Sequence, residues 1–257
     1  MKIALIQAPL VWENPQANRA YFEEKIKSIS QEIDIVILPE MFTTGFTMEP
    51  KNLWETMEGE TILLLKNLAK AKNFAITGSL IINENDKLYN RLVFIFPSGE
   101  IEKYDKRHLF SLAGEEEVYT AGSAKLILEF RGWKICPLIC YDLRFPVFAR
   151  NVEDYDLLIY AANWPTKRIE AWNTLLKARA VENMAYIAGV NRIGEDDNDY
   201  PHIGHSQVVN FLGEYVLEPQ ASEAVFIVEL SKKDLNEARE KYGFLSDRDH
   251  FKLQPKK

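Results

Sequence analysis

Apolar positions along the chain fall into short runs, separated by longer segments in which they recur every three or four residues. Residues 2–8, 33–38, 74–82, 91–97, 100–104 and 155–162 read as strands, and 16–28, 60–72 and 167–183 as helices. In the last of these, Ile169, Trp172, Leu175, Leu176 and Ala180 share one helical face. Alternation of strand and helix implies parallel pairing. Ser98-Gly99 instead links 91–97 to 100–104 as a hairpin, and Arg131-Gly132 joins 125–130 to 132–140, so the pairing is mixed. A further strand is expected over 185–190, and 206–212 and 224–230 are expected to be strands meeting near Gly213-Glu214. Ser231-Lys232-Lys233-Asp234 opens a last helix with a capping box, and Gly243 closes it. So many strands exceed one ordinary twisted sheet, which predicts two packed sheets with helices outside. There is no Gly/Ser linker, compositional break or fixed-period repeat, so residues 1–257 are expected to form one α/β domain.

Three of the apolar runs stop abruptly at a polar group. The run through 133–139 ends at Cys140, 33–38 ends at Pro39-Glu40, and 155–162 ends at Asn163-Trp164-Pro165. In open α/β sheets, ligands sit beyond the carboxyl ends of strands, so these groups share the edge where chemistry is expected. Taken singly, Cys140 reads as a small core residue, Glu40 as a solvated carboxylate and Lys106 as a surface lysine. Together they supply what a thiol attacking a carbonyl requires: the nucleophile, a base to take its proton and a cation for the oxyanion. A thiol with a pKa near about 8.5 is mostly protonated at neutral pH, so the ammonium and the carboxylate are expected to activate it.

Composition narrows the class. A 47% hydrophobic content supports a full core, and a formal charge of −7 without a Lys/Arg cluster argues against nucleic-acid or anionic-membrane surfaces. No run approaches the roughly 20 apolar residues of a membrane helix. Cys136 and Cys140 lie four residues apart on one strand, which is not disulfide geometry, and the first residues read as strand rather than signal peptide; both features predict a cytoplasmic protein. His108, His202, His205 and His250 lack ligand spacing, with His202 and His205 expected in a loop. The run Glu195-Asp196-Asp197-Asn198-Asp199 lacks calcium-loop spacing, and no phosphate-binding glycine loop is present, so neither metal nor cofactor is predicted.

Leu38-Pro39-Glu40, the 104–110 segment Tyr-Asp-Lys-Arg-His-Leu-Phe and the 138–146 segment Leu-Ile-Cys-Tyr-Asp-Leu-Arg-Phe-Pro resemble, in order and separation, the three signature segments of the nitrilase superfamily of carbon-nitrogen hydrolases. The resemblance implies a four-layer αββα sandwich, usually paired with a second subunit across helices near the nucleophile strand. It also implies Cys140 as nucleophile, Glu40 as general base and later acid, Lys106 beside the oxyanion, and the Tyr141 backbone N–H completing the oxyanion hole. A second glutamate of the family maps onto Glu115, with Glu116 the alternative in register. The segments 42–46, 162–165 and 175–183 further resemble the bacterial ω-amidase branch, which implies release of ammonia from 2-oxoglutaramate and 2-oxosuccinamate. Such a substrate needs a cation for its carboxylate, and Arg144 is the candidate, assisted by Thr166; the alternative for Arg144 is an ion pair with Asp142 or Glu182. Trp164 either walls the pocket or fills the core. Rival readings are a sibling amidase or nitrilase acting on an N-carbamoyl amino acid, a deaminated glutathione or a nitrile, and an idle scaffold that keeps the fold.

Overall fold

The computed structural model describes residues 1–254. In chain order, the first part runs β1 (Lys2–Gln7), α1 (Pro15–Ser28), β2 (Ile35–Ile37), α2 (Glu60–Lys72), β3 (Ala75–Glu84), β4 (Lys87–Ile95) and β5 (Ile101–Asp105). After α3 (Glu115–Val118) come β6 (Leu128–Phe130), β7 (Trp133–Ile139), α4 (Pro146–Ala149), β8 (Leu157–Ala162), α5 (Ile169–Asn183) and β9 (Tyr186–Asn191). The chain closes with β10 (Ile193–Glu195), β11 (Pro201–Ile203), β12 (Ser206–Val209), β13 (Tyr215–Gln220), β14 (Ala224–Glu229) and α6 (Lys232–Tyr242).

The strands form two six-stranded mixed sheets, ordered β14-β1-β2-β3-β4-β5 and β13-β12-β9-β8-β7-β6, and the two-stranded β10-β11. Pairing is parallel at the centre of each large sheet, across β1-β2-β3 and β7-β8-β9, where helical crossovers intervene. It turns antiparallel at the flanks, joined by tight turns in β3-β4, β4-β5 and β6-β7 and by longer connections in β1-β14 and β9-β12. Three apolar layers follow from this. Ile3, Leu5, Ile35 and Ile37 of one sheet meet Ile135, Leu157, Ile159 and Ala188 of the other. The outer face of the first sheet packs Val36, Leu38 and Ile76 against Phe22 and Ile26 of α1 and Leu65 of α2. The outer face of the second packs Leu158 and Tyr160 against Trp172, Leu176 and Ala180 of α5. A Cβ at Gly189 would lie 2.7 Å from a Leu176 methyl and 2.8 Å from the Trp172 ring, so only glycine lets α5 settle this close to β9. Helix, sheet, sheet and helix thus stack in four layers, as the resemblance implied.

Two expectations need correction. The segments 206–212 and 224–230 do not meet each other: the turn at Gly213 carries β12 into β13, while β14 crosses to the other sheet and pairs with β1. β13 escaped notice because its residues alternate half-buried and exposed and include Pro219, which demotes a strand reading. His202 lies in β11 and is buried, rather than in a loop; His205 does sit between strands.

Candidate active site

Each chemically active group stands where a strand stops. Beyond β2 the chain reverses at Met41, whose φ of 41° is left-handed, and presents Glu40. Beyond β5 comes Lys106, and beyond β7 comes Cys140, itself at φ 38°. A non-glycine residue in this region is strained, which marks the elbow at the thiol as over-determined by its surroundings. Those surroundings are visible. The chain tightens into a 3-10 turn over Cys140–Arg144, and the buried Asp142 carboxylate accepts Ile139 N (3.1 Å), His108 N (3.0 Å), the Tyr104 hydroxyl (2.7 Å) and His108 Nδ1 (2.7 Å). That last bond assigns the imidazole proton to Nδ1.

The floor of the site is a closed network. Lys106 Nζ donates to Glu40 Oε1 at 2.8 Å and to Glu115 Oε2 and Oε1 at 2.8 and 3.0 Å. Asn90 Nδ2 bridges the two carboxylates at 2.9 and 3.1 Å. Asn163 N donates to Glu40 Oε2 at 2.9 Å, and Phe110 N to Glu115 Oε2 at 2.6 Å. Glu40 and Glu115 are 0% exposed and Lys106 1%, whereas Glu116 points into solvent. Burial alone would lower the Lys106 pKa, but Glu115 and Glu40 together overcome it and hold the ammonium protonated. Burial pushes the Glu115 carboxyl up, opposed by Lys106.

Cys140 Sγ lies beside this network, 3.9 Å from the Asn163 carbonyl. Burial first, and then the Glu40 charge, push its pKa well above the ordinary thiol range; Lys106 opposes them without prevailing. Activation by the carboxylate is therefore removal of the thiol proton during attack rather than a standing thiolate. In the free protein the proton stays on sulfur, next to a carboxylate able to take it.

Above the floor opens a cavity of about 580 Å³, lined by Glu40, Lys106 and Cys140 at the bottom and by Tyr141, Arg144 and Trp164 on its wall. The Arg144 guanidinium lies over the Trp164 ring, 5.0 Å from its centroid, and pairs with neither Asp142 nor Glu182, the latter being engaged by Arg179. Trp164 is 3% exposed and also packs on Trp172, so it both walls the cavity and belongs to the core. Thr166 departs from expectation: it opens the 3-10 turn Thr166–Arg168 and is absent from the cavity lining, to which the following residues Lys167 and Arg168 contribute. Sequence reasoning also passed over Asn90 and Asp142 as site residues. The hairpin at Ser98-Gly99 held the signal for Asn90, because its register brings the Asn90 carbonyl to Lys106 N at 3.0 Å. Among the described residues, no group of three or more His, Cys, Asp or Glu side chains is arranged to hold a metal ion.

This fold and this set of groups define a hydrolase of carbon-nitrogen bonds, and the sequence agrees: the carbon-nitrogen hydrolase family profile matches residues 2–240, so the chain belongs to that family and is an amidohydrolase. Among its relatives, omega-amidase YafV of Yersinia enterocolitica is 45% identical over 98% of both chains. The 2-oxoglutaramate amidase of Bacillus subtilis is 31% identical over 95% of this chain and 96% of its own. A solved structure, the CN-hydrolase superfamily protein XC1258 from Xanthomonas campestris with an arsenic adduct in its active site, superposes with a TM-score of 0.96 at 40% identity, covering 99% of both chains.

Proposed function

We propose that the protein is an ω-amidase, hydrolysing the terminal amide of short 2-oxo acid amides such as 2-oxoglutaramate and 2-oxosuccinamate through a thioester on Cys140. The observation that carries this reading is the pairing, in one cavity, of a buried Cys140-Glu40-Lys106 floor with an Arg144 guanidinium that has no carboxylate of its own. The floor suits attack on an amide, and the wall suits a substrate whose other end is an anion. The names of the relatives above support the same substrate class.

The geometry supports the following steps. Cys140 Sγ attacks the amide carbon as Glu40 takes the thiol proton, which the raised thiol pKa leaves in place until then. The carbonyl oxygen becomes an oxyanion facing the Lys106 ammonium and the Tyr141 backbone N–H, which opens the 3-10 turn and so lacks an intrahelical acceptor. Glu40 returns the proton to nitrogen, the C–N bond breaks, ammonia departs and the acyl group remains on sulfur. Water, deprotonated by Glu40, then attacks the thioester; the C–S bond breaks and the proton restores the thiol. Among the described residues the Glu115 carboxylate is hydrogen-bonded to Lys106, Asn90 and Phe110 N, and it positions the ammonium.

Ammonia release from 2-oxoglutaramate, run beside glutamine, an N-carbamoyl amino acid and a simple nitrile, tests the assignment. Preference for the oxo-amide by roughly tenfold or more supports it. Preference for any of the other three transfers the same floor to a sibling reaction.

A further inference from the structure

The chain has eleven arginines, and among the described residues every guanidinium except those of Arg144 and Arg168 donates at least one hydrogen bond to a protein acceptor. The two exceptions both line the cavity above Cys140. They reach it from separate elements, Arg144 from the elbow after β7 and Arg168 from the turn before α5. Each lies against an aromatic ring: Arg144 is 5.0 Å from the Trp164 centroid and Arg168 is 5.1 Å from that of Phe110. Neither ring is loose. Trp164 Nε1 donates to the Arg168 carbonyl at 2.8 Å, and Phe110 N is tied to Glu115 of the floor.

An aromatic face orients a guanidinium through its planar surface and leaves the in-plane N–H groups free for a ligand. Two half-buried cations facing one cavity also repel each other; burial lowers the Arg168 pKa, and Arg144 adds to that effect. Glu13, Glu49, Asp196 and Asp197 also line the cavity, but among the described residues none forms an ion pair with either guanidinium, so an anion entering between the two relieves their repulsion.

We infer that Arg168 is the second arm of a two-guanidinium clamp which, with Arg144, selects substrates bearing a carboxylate at the end remote from the amide. The inference rests on the function proposed above and assigns its anion specificity to a residue pair rather than to Arg144 alone. Arg168 contacts no reacting atom; its effect is on which amides are held in register with Cys140.

The test is the ratio of kcat/KM for 2-oxoglutaramate to that for the neutral amide butyramide, measured for wild type, Arg168→Gln, Arg168→Lys and Arg144→Gln. Loss of charge-assisted hydrogen bonds is expected to reduce this ratio by about 10- to 100-fold in Arg168→Gln, mostly through KM, with Arg168→Lys intermediate. A merely structural role would depress both substrates together and leave the ratio standing. A second readout needs no turnover: 2-oxoglutarate should quench Trp164-dependent fluorescence in Cys140→Ser and do so far more weakly when Arg168→Gln is added. If Arg168→Gln keeps the wild-type ratio while Arg144→Gln loses it, the clamp is overturned and the ω-amidase reading stands. If wild type itself prefers butyramide, the ω-amidase reading fails and the clamp with it.

Discussion

The floor and the wall of the same cavity treat charge in opposite ways. On the floor, Lys106, Glu40 and Glu115 are at most 1% exposed; the ammonium is held by both carboxylates, and each carboxylate by the ammonium, Asn90 and one backbone N–H. On the wall, Arg144 and Arg168 are half-exposed and have rings but no carboxylates. A buried charge must be paired or it would neutralise, so the floor is complete before substrate arrives and does not reorganise during reaction. A partly solvated cation can remain unpaired, so the wall is complete only with a ligand in place. On the function proposed above, the difference separates two tasks: the closed network performs the chemistry on whatever amide reaches it, and the open one decides which amide that is.

With the thiol left in place, the strongest way to break this contrast is Lys106→Met. It leaves two buried carboxylates without their shared cation, for which a loss of about 3–5 kcal/mol is expected, or a Tm lowered by roughly 10 °C. Turnover should fall by about 10³-fold or more, since the oxyanion loses its ammonium. Differential scanning calorimetry beside an ammonia assay reads both, and an unchanged Tm would show that the floor is not one unit.

Glu40→Gln sharpens the comparison by separating charge from shape. Turnover should drop by about 10²- to 10⁴-fold, because the group that takes and returns the proton is gone. The thiol, however, should ionise at lower pH than in wild type: the Glu40 charge is among the causes that raise its pKa, and Lys106 then acts unopposed. Thiolate absorbance followed against pH should therefore move down while activity vanishes. A shift upward would contradict the charge balance described for the floor.

On the wall, Arg144→Gln should reduce kcat/KM for 2-oxoglutaramate by about 10- to 100-fold with Tm within a degree or two of wild type, since no protein carboxylate loses a partner. A fall in Tm comparable to that of Lys106→Met would place Arg144 in the structural network instead. The smallest effect is expected at Glu116→Gln, within about twofold in kcat, whereas Glu115→Gln disturbs Lys106; equal responses would undo the assignment of the buried glutamate.

Much of this was legible in the sequence, for identifiable reasons. The helix Glu60–Lys72 was readable because its leucine-rich run is followed by Asn73, which adopts the left-handed cap. Glu40 and Cys140 were legible because each follows the end of an extended run, so one-dimensional pattern locates them; Lys106, which singly reads as a surface lysine, was legible through the 104–110 segment that resembles a family signature. Asn90 and Asp142 were missed because their importance lies in what they touch across the fold, 50 and 38 residues away respectively, at Glu40 and Tyr104. Arg168 lay inside the predicted helix 167–183 and received no role; the 3-10 turn there brings Arg168 to the cavity lining in place of Thr166. The raised Cys140 pKa was beyond reach, since burial of the thiol, rather than the mere presence of a lysine and a glutamate, sets its direction.

The central claim is that the thiol on the floor makes and breaks the bonds. Ammonia release from 2-oxoglutaramate by wild type and by Cys140→Ala, prepared and assayed side by side, tests it most directly. The account predicts that Cys140→Ala keeps its fold and loses at least about 10⁴-fold in kcat, down to the assay background. A folded Cys140→Ala protein that still releases ammonia within about tenfold of the wild-type rate would contradict the thioester route and, with it, the division of labour between floor and wall.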